Sequence, residues 1–139
     1  MVIAKKLSLA TRGNADVHDI THAVAQAVRE TGLASGTVTL FCPGSTSALT
    51  TIEFEPGAVS DLKRLFDELA APNRAYAHEE TWHDGNGHSH VRAALLGPSL
   101  VVPFVEGRLT LGTWQQIIYI DFDVRPRRRE IVAQVMGEA

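Results

Sequence analysis

Cysteine is almost missing from this chain of 139 residues: Cys42 stands alone, so neither an internal disulfide nor a paired-thiolate metal site can form. Long apolar runs are missing too. Nothing approaches the roughly 20 successive apolar residues of a membrane span, and the opening MVIAKKLSLA is too short and interrupted for a secretory signal. A cytoplasmic protein without a membrane partner is expected. Nor is there the basic excess that nucleic-acid binders use, since 13 Lys and Arg stand against 16 Asp and Glu, for a net charge of −3. Nucleic acid is therefore not an expected partner. The local exception, VRPRRRE with Arg125, Arg127, Arg128 and Arg129, suits a small anion or a subunit contact better than a duplex. What the chain does have is 45% hydrophobic residues, enough for one compact core, and a single domain over 1–139 is expected.

Periodicity divides the chain into alternating elements. Residues 2–10 alternate loosely, as a half-buried strand does. In DVHDITHAVAQAVRETGL, Ile20, Ala23, Val24, Ala27 and Val28 recur at helical spacing, with Asp19 placed as a cap, His18 and His22 at the helix start, and Gly32 as the stop. Gly36–Cys42 and Ala48–Glu55 read as strands. GAVSDLKRLFDELA carries the stripe Val59, Leu62, Leu65, Phe66 and Leu69 and ends before Pro72, a second helix. Residues 72–87 read as a long polar loop, a feature usually tied to function, with Tyr76 and Trp82 arguing against disorder. Strands are expected at His88–Leu96, Leu100–Val105, Arg108–Leu111, Gln115–Phe122 and Arg129–Val135, with a hairpin turning at Glu106–Gly107. Two helices among many strands indicate an α+β fold with a mostly antiparallel sheet.

Four of the six histidines, His78, His83, His88 and His90, fall within thirteen residues. On a strand, His88 and His90 would leave the same face about 6.6 Å apart, close enough to converge on one ion. Zinc would then take a third ligand from His78 or His83 in the preceding loop. The alternative is that these imidazoles make only local hydrogen bonds or act as acid and base. Ser45, Thr46 and Ser47 in PGSTSALT offer hydroxyls and backbone N–H groups to a small anion. Arg127 and Arg129 alternate onto one strand face and could grip a phosphate; the opposing reading is a solvated charged edge. Glu53, Asp61 and Asp121 lie beside apolar stretches, where desolvation suits a carboxyl group to acid or base work, although Asp61 also falls where a carboxylate simply complements a helix dipole. GTWQ places Trp114 and Gln115 to stack on and hydrogen-bond a planar ligand, or to close a core.

Taken together, PGSTSAL with Glu53, YAH at Tyr76–His78, GNGHSHVRAALLGPS, GRLTLGTWQQI and PRRR with a closing GE resemble the YjbQ-like family, often named secondary thiamine-phosphate synthase. The resemblance runs over nearly the whole chain. It implies an α+β domain whose sheet curls toward a barrel, a homotrimer with pockets near its subunit boundaries, and an activity that joins a hydroxymethylpyrimidine diphosphate to a thiazole phosphate. His78 and His90 match recurrent histidines of the family, and His88 stands where many relatives have one. Glu53, Trp114, Gln115, Arg127 and Arg129 also match. The resemblance thus implies His78, His90, Glu53 and Asp121 as catalytic groups, and Ser45, Thr46, Ser47, Trp114, Gln115, Arg127 and Arg129 as contacts to a phosphorylated metabolite. A divalent ion, zinc above others, would sit on His78, His88 and His90. Two departures stand out: Gly44 is read in place of the histidine that opens HTSA or HTTA in relatives, and Asp121 replaces a usual glutamate. The competing expectation is a noncatalytic trimeric module that binds a phosphorylated metabolite or a metal ion.

Overall fold

The computed structural model describes every residue from Met1 to Ala139. In chain order the elements are β1 (Val2–Thr11), β2 (Asp16–Asp19), α1 (Thr21–Thr31), β3 (Ser35–Phe41), β4 (Ser47–Ile52), α2 (Pro56–Leu69), α3 (His78–Trp82), α4 (Gly87–Leu96), β5 (Ser99–Val105), β6 (Arg108–Leu109), β7 (Gln116–Asp121) and β8 (Arg127–Glu138). The strands form a five-stranded sheet in the order β1-β8-β3-β5-β6 and a three-stranded sheet in the order β2-β7-β4. Every ladder is antiparallel. This is the expected α+β architecture, a curled antiparallel sheet that makes a half-barrel, with four helices instead of two.

Side-chain alternation along β7 explains the layering. Ile117 and Tyr119 point into the larger core, where they meet Val38 and Leu40 of β3, Val102 and Phe104 of β5, Ile131, Ala133 and Val135 of β8, and Val24 and Val28 of α1. Ile118 and Ile120 point the other way, onto Ala48, Phe66 of α2, Ala93 of α4 and Phe122. The central strand is thus buried on both faces, which is why IIYIDF is continuously apolar up to its aspartate. Burial pushes the Tyr119 phenol up to about 12, so it stays neutral inside the core.

Local chemistry sets most boundaries as expected. Gly32 ends α1 at φ 71°, and its N–H bonds the Arg29 carbonyl at 3.1 Å. Glu106 and Gly107 at φ 50° and 73° make the left-handed two-residue turn expected between β5 and β6. Asp19 accepts from both the N–H and the hydroxyl of Thr21. His18, however, sits in the short edge strand β2 and not in α1, its Nε2 lying 2.8 Å from Asp16.

The principal correction concerns residues 88–96, which are helical rather than extended. Ala93, Ala94, Leu95 and Leu96 favour a helix, Val91 is the only β-branched residue, and Gly97 at φ 102° provides the stop. The buried residues His88, Ser89, Arg92 and Ala93 follow a helical period. The preceding loop also contains a helical segment, α3, which ends at His83 in the left-handed region at φ 53°. No helix of the chain is long and apolar enough to cross a membrane.

Candidate metal centre

The change from strand to helix separates the two histidines of HSH. Residues two apart on a helix differ by about 200° around the axis and do not share a face. His88 is 5% exposed and faces Tyr76, with ring centroids 6.3 Å apart. His90 emerges on the other flank of α4 and meets His78 of α3, with centroids 4.4 Å apart. The expected triad of His78, His88 and His90 therefore does not assemble.

A different triad does. One ligand atom from each of His78, Asp84 and His90 falls within 4.8 Å of the others. The His78 Nε2 lies 3.3 Å from Asp84 Oδ1, close to the separation of neighbouring ligands around a tetrahedral zinc with bonds of about 2.0–2.1 Å. That contact lacks hydrogen-bonding geometry, and the buried Nε2 has no other partner. The His90 Nδ1 is 3.1 Å from the Ser45 carbonyl, which can only accept, so Nδ1 carries the proton and Nε2 keeps a free lone pair. A backbone carbonyl fixing the tautomer of a ligating imidazole is a recurrent support of metal sites. The Asn86 N–H, more than the nearby His78, holds the Asp84 carboxyl below its ordinary value, against a smaller upward push from desolvation. Asp84 is thus ionised and ready to bind a cation.

Glu79 braces this arrangement. Its carboxylate accepts from the N–H groups of Gly85 at 2.6 Å and Gly87 at 2.9 Å, fastening α3 to the start of α4. Tyr76 lies over Gly87 so closely that a Cβ there would come 2.4 Å from the tyrosine Cβ. Beside His90 a hollow of about 210 Å³ is lined by Gly44, Ser45, Ser47, Ala93, Ala94 and Pro98. Ser47 Oγ is buried and unpartnered, as is His78 Nε2, and no other buried side-chain nitrogen or oxygen lacks a hydrogen bond. Of the two, the His78 Nε2 lies against His90, whereas the Ser47 hydroxyl is a neighbour of the Tyr119 phenol and the Cys42 thiol in the core.

The other expected site residues lie elsewhere. Arg129 is clamped on Asp121 by Nε at 2.8 Å and Nη2 at 2.9 Å, and Nη2 also donates to Thr46 Oγ1. Asp121 is fully buried and also accepts from the Thr11 hydroxyl and the Asp123 N–H. Arg127 donates to Asp123, which also takes bonds from Thr46, Asn86 and the Arg125 N–H. Burial would raise the Asp123 carboxyl, but the bonds from Asn86, Arg125 and Thr46 and the charge of Arg127 together hold it below its ordinary value. Arg129 of the expected phosphate clamp and Asp121, the expected acid or base, are thus paired internally and joined by Thr46, while Arg127 stays exposed at the edge of the network. A sequence signal for it exists: Asp121 and Arg129, and likewise Asp123 and Arg127, stand equidistant from Arg125, so a chain reversal there pairs them.

Glu53 is exposed on the link from β4 to α2 and does not reach the histidines. Trp114 is 73% exposed, and Gln115 binds Thr51 and the Gly112 N–H, bordering other hollows. Asp61 pairs with Arg64 on the exposed face of α2. His83 serves as the left-handed stop of α3 and is not a ligand of the cluster. Asp84, which sequence reasoning missed, lies midway between His78 and His90 in the chain, and that spacing is the signal it offers.

The HTSA comparison also sharpens. Its letters fall over STSA, Ser45–Ala48, so the resemblance implies a histidine at the place of Ser45 and not of Gly44. Gly44 at φ 138° holds a conformation that strains any residue with a side chain, whereas Ser45 opens on the hollow beside His90.

The family model for UPF0047 protein YjbQ-like matches residues 5–138. A UPF0047 protein of Archaeoglobus fulgidus is 34% identical over 131 residues, covering 94% of this chain and 99% of its own. UPF0047 protein YugU of Bacillus subtilis is 36% identical over 135 residues, covering 96% and 98%. The crystal structure of a YbjQ-like protein of unknown function from Sulfolobus solfataricus superimposes with a TM-score of 0.94 at 32% identity, over 99% of each chain.

Proposed function

The chain belongs to the UPF0047 YjbQ-like family, and from that premise we propose that it holds a divalent ion, zinc, on His78, His90 and Asp84 and acts beside it on a phosphorylated small molecule. The observation that carries this reading is the orphaned His78 Nε2, which lies with Asp84 against His90. A buried polar atom without a partner is costly, and a bound ion would relieve this one. Three protein ligands leave a fourth position open, as in catalytic zinc sites.

When bound, the ion supplies positive charge to a departing or attacking oxygen. The Ser45–Ser47 turn would supply hydroxyls and N–H groups to the phosphate, with Ser45 leaving room where relatives carry an imidazole. The family resemblance supplies the finer reading of a thiamine-phosphate synthase-like transfer. In that reaction the thiazole nitrogen forms a bond to the pyrimidine methylene carbon, the carbon–oxygen bond to diphosphate breaks, and pyrophosphate leaves. Glu53, Trp114 and Gln115 stand on exposed surfaces, and a neighbouring copy in the expected homotrimer would carry them to the histidines.

Zinc titration against a competing chelator, using untagged protein, tests the ion. One equivalent bound by the wild type and lost in His90→Ala is expected; equal binding by the variant would overturn the site. The transfer is tested by turnover of the two phosphorylated precursors by zinc-loaded protein. Tight binding of a phosphorylated compound without turnover would instead favour the noncatalytic module.

A further inference from the structure

A second hollow, about 150 Å³ in volume, lies on the His88 flank of α4, among α2, α4 and the turn after β1. Asn14, Ala15, Lys63, Asp67, His88 and Arg92 line it. His88 is 5% exposed, yet its ring makes no hydrogen bond to any protein group and borders the hollow. Its nitrogens are not among the sealed, orphaned atoms, so they open on the hollow, where only water or a solute can bond them.

The neighbours of His88 define that partner. Arg92, 3% exposed, donates Nε to the Ala70 carbonyl and Nη2 to Asp67, each at 3.0 Å, which leaves Nη1 without a protein acceptor. Lys63 lies one helical turn before Asp67 on α2 and has no carboxylate partner. Two cations therefore face one carboxylate, and the excess is positive. Neutral or protonated, the His88 ring keeps at least one N–H donor. A metal cation is disfavoured by two neighbouring positive charges, whereas an oxyanion meets three donors.

We infer that the hollow bounded by Lys63, His88 and Arg92 is a binding site for a small oxyanion, a carboxylate or phosphate group, separate from the metal centre. One helix thus serves two sites, through His90 on one flank and His88 on the other. The hollow holds a headgroup and a few waters, not a whole nucleotide, so a larger ligand would reach it by one anionic end.

Nuclear magnetic resonance of the full chain with nitrogen-15-labelled histidine tests this, titrating inorganic phosphate and, separately, acetate, with sodium chloride at matched ionic strength as control. Saturable movement of the His88 ring signals is expected, by phosphate for a phosphate site or by acetate for a carboxylate site. Lys63→Ala, an exposed and structurally tolerated change, should weaken that response about tenfold, the loss of one charge-assisted bond. His90→Ala should leave it intact. The proposal is overturned if neither anion moves His88 beyond the chloride control, if Lys63→Ala has the same midpoint as wild type, or if His90→Ala abolishes the response.

Discussion

Two polar clusters meet at Asn86, and they differ in what they leave unsatisfied. On one side the Asn86 amide donates to Asp123, within a network where Asp121, Asp123, Arg127, Arg129, Thr11 and Thr46 bond to one another. On the other its backbone N–H orients Asp84, whose neighbours His78 and His90 keep lone pairs free. Both clusters are rich in charge and in motif residues. Of the two, only the second contains a buried polar atom without a partner, the His78 Nε2, and such an atom is what a ligand can satisfy.

The sharpest way to break this contrast is Arg129→Ala. It strands Asp121, which is fully buried, and losing one partner of a buried pair costs about 3–5 kcal/mol. Thermal unfolding should fall by roughly 10 °C or more, with Arg129→Lys between the variant and wild type because it keeps the charge but loses the fork. A midpoint within a degree or two of wild type would mean that the network is not structural. The next effect is a gain. Ser45→His places an imidazole on the rim of the hollow that His90 also lines, and zinc should bind about tenfold tighter in chelator competition, since a fourth protein ligand would close the open position. Unchanged or weaker binding would remove Ser45 from the site.

The smallest effect is a pH dependence confined to the closed network. The Asp123 carboxyl lies below its ordinary value of 3.8 in the folded chain, so its contribution is fully present above that value and is lost as the pH falls through the folded one. Urea midpoints measured from pH 5 to 2 should drop, and Asp123→Asn should drop less over the same interval. Parallel curves would show that Asp123 does not drive acid unfolding.

How far the sequence discloses this molecule depends on whether the deciding interaction is local. The strands with β-branched runs, the stop at Gly32 and the left-handed turn at Glu106–Gly107 follow from residues within a few positions, and all are found. The segment HVRAALL carries a short apolar run that fits either period, and its docking on Phe66 and Phe122 through Ala93 selects the helix. That choice moves His88 away from His90 and brings in Asp84, which no count of histidines reveals. The proximity of His78 and His90 was legible because the histidines cluster in the chain. The pairing of the arginines was not legible because an anion grip and an ion pair within the chain look alike until the partners, Asp121 and Asp123, are placed.

The Glu79 brace has a further consequence, for how the centre opens. Apart from it, α3 is a five-residue helix with no buried residue, and two of the three proposed ligands, His78 and Asp84, ride on the segment that it begins. That segment can detach at low cost while both sheets stay intact, as weakly packed units do. An ion bridging His78 and Asp84 to His90 would stitch it down, so metal loading should appear as slowed amide exchange over residues 78–86. Exchange in β7 would barely change, and the ligand would govern access to its own site by deciding how often that flap lifts.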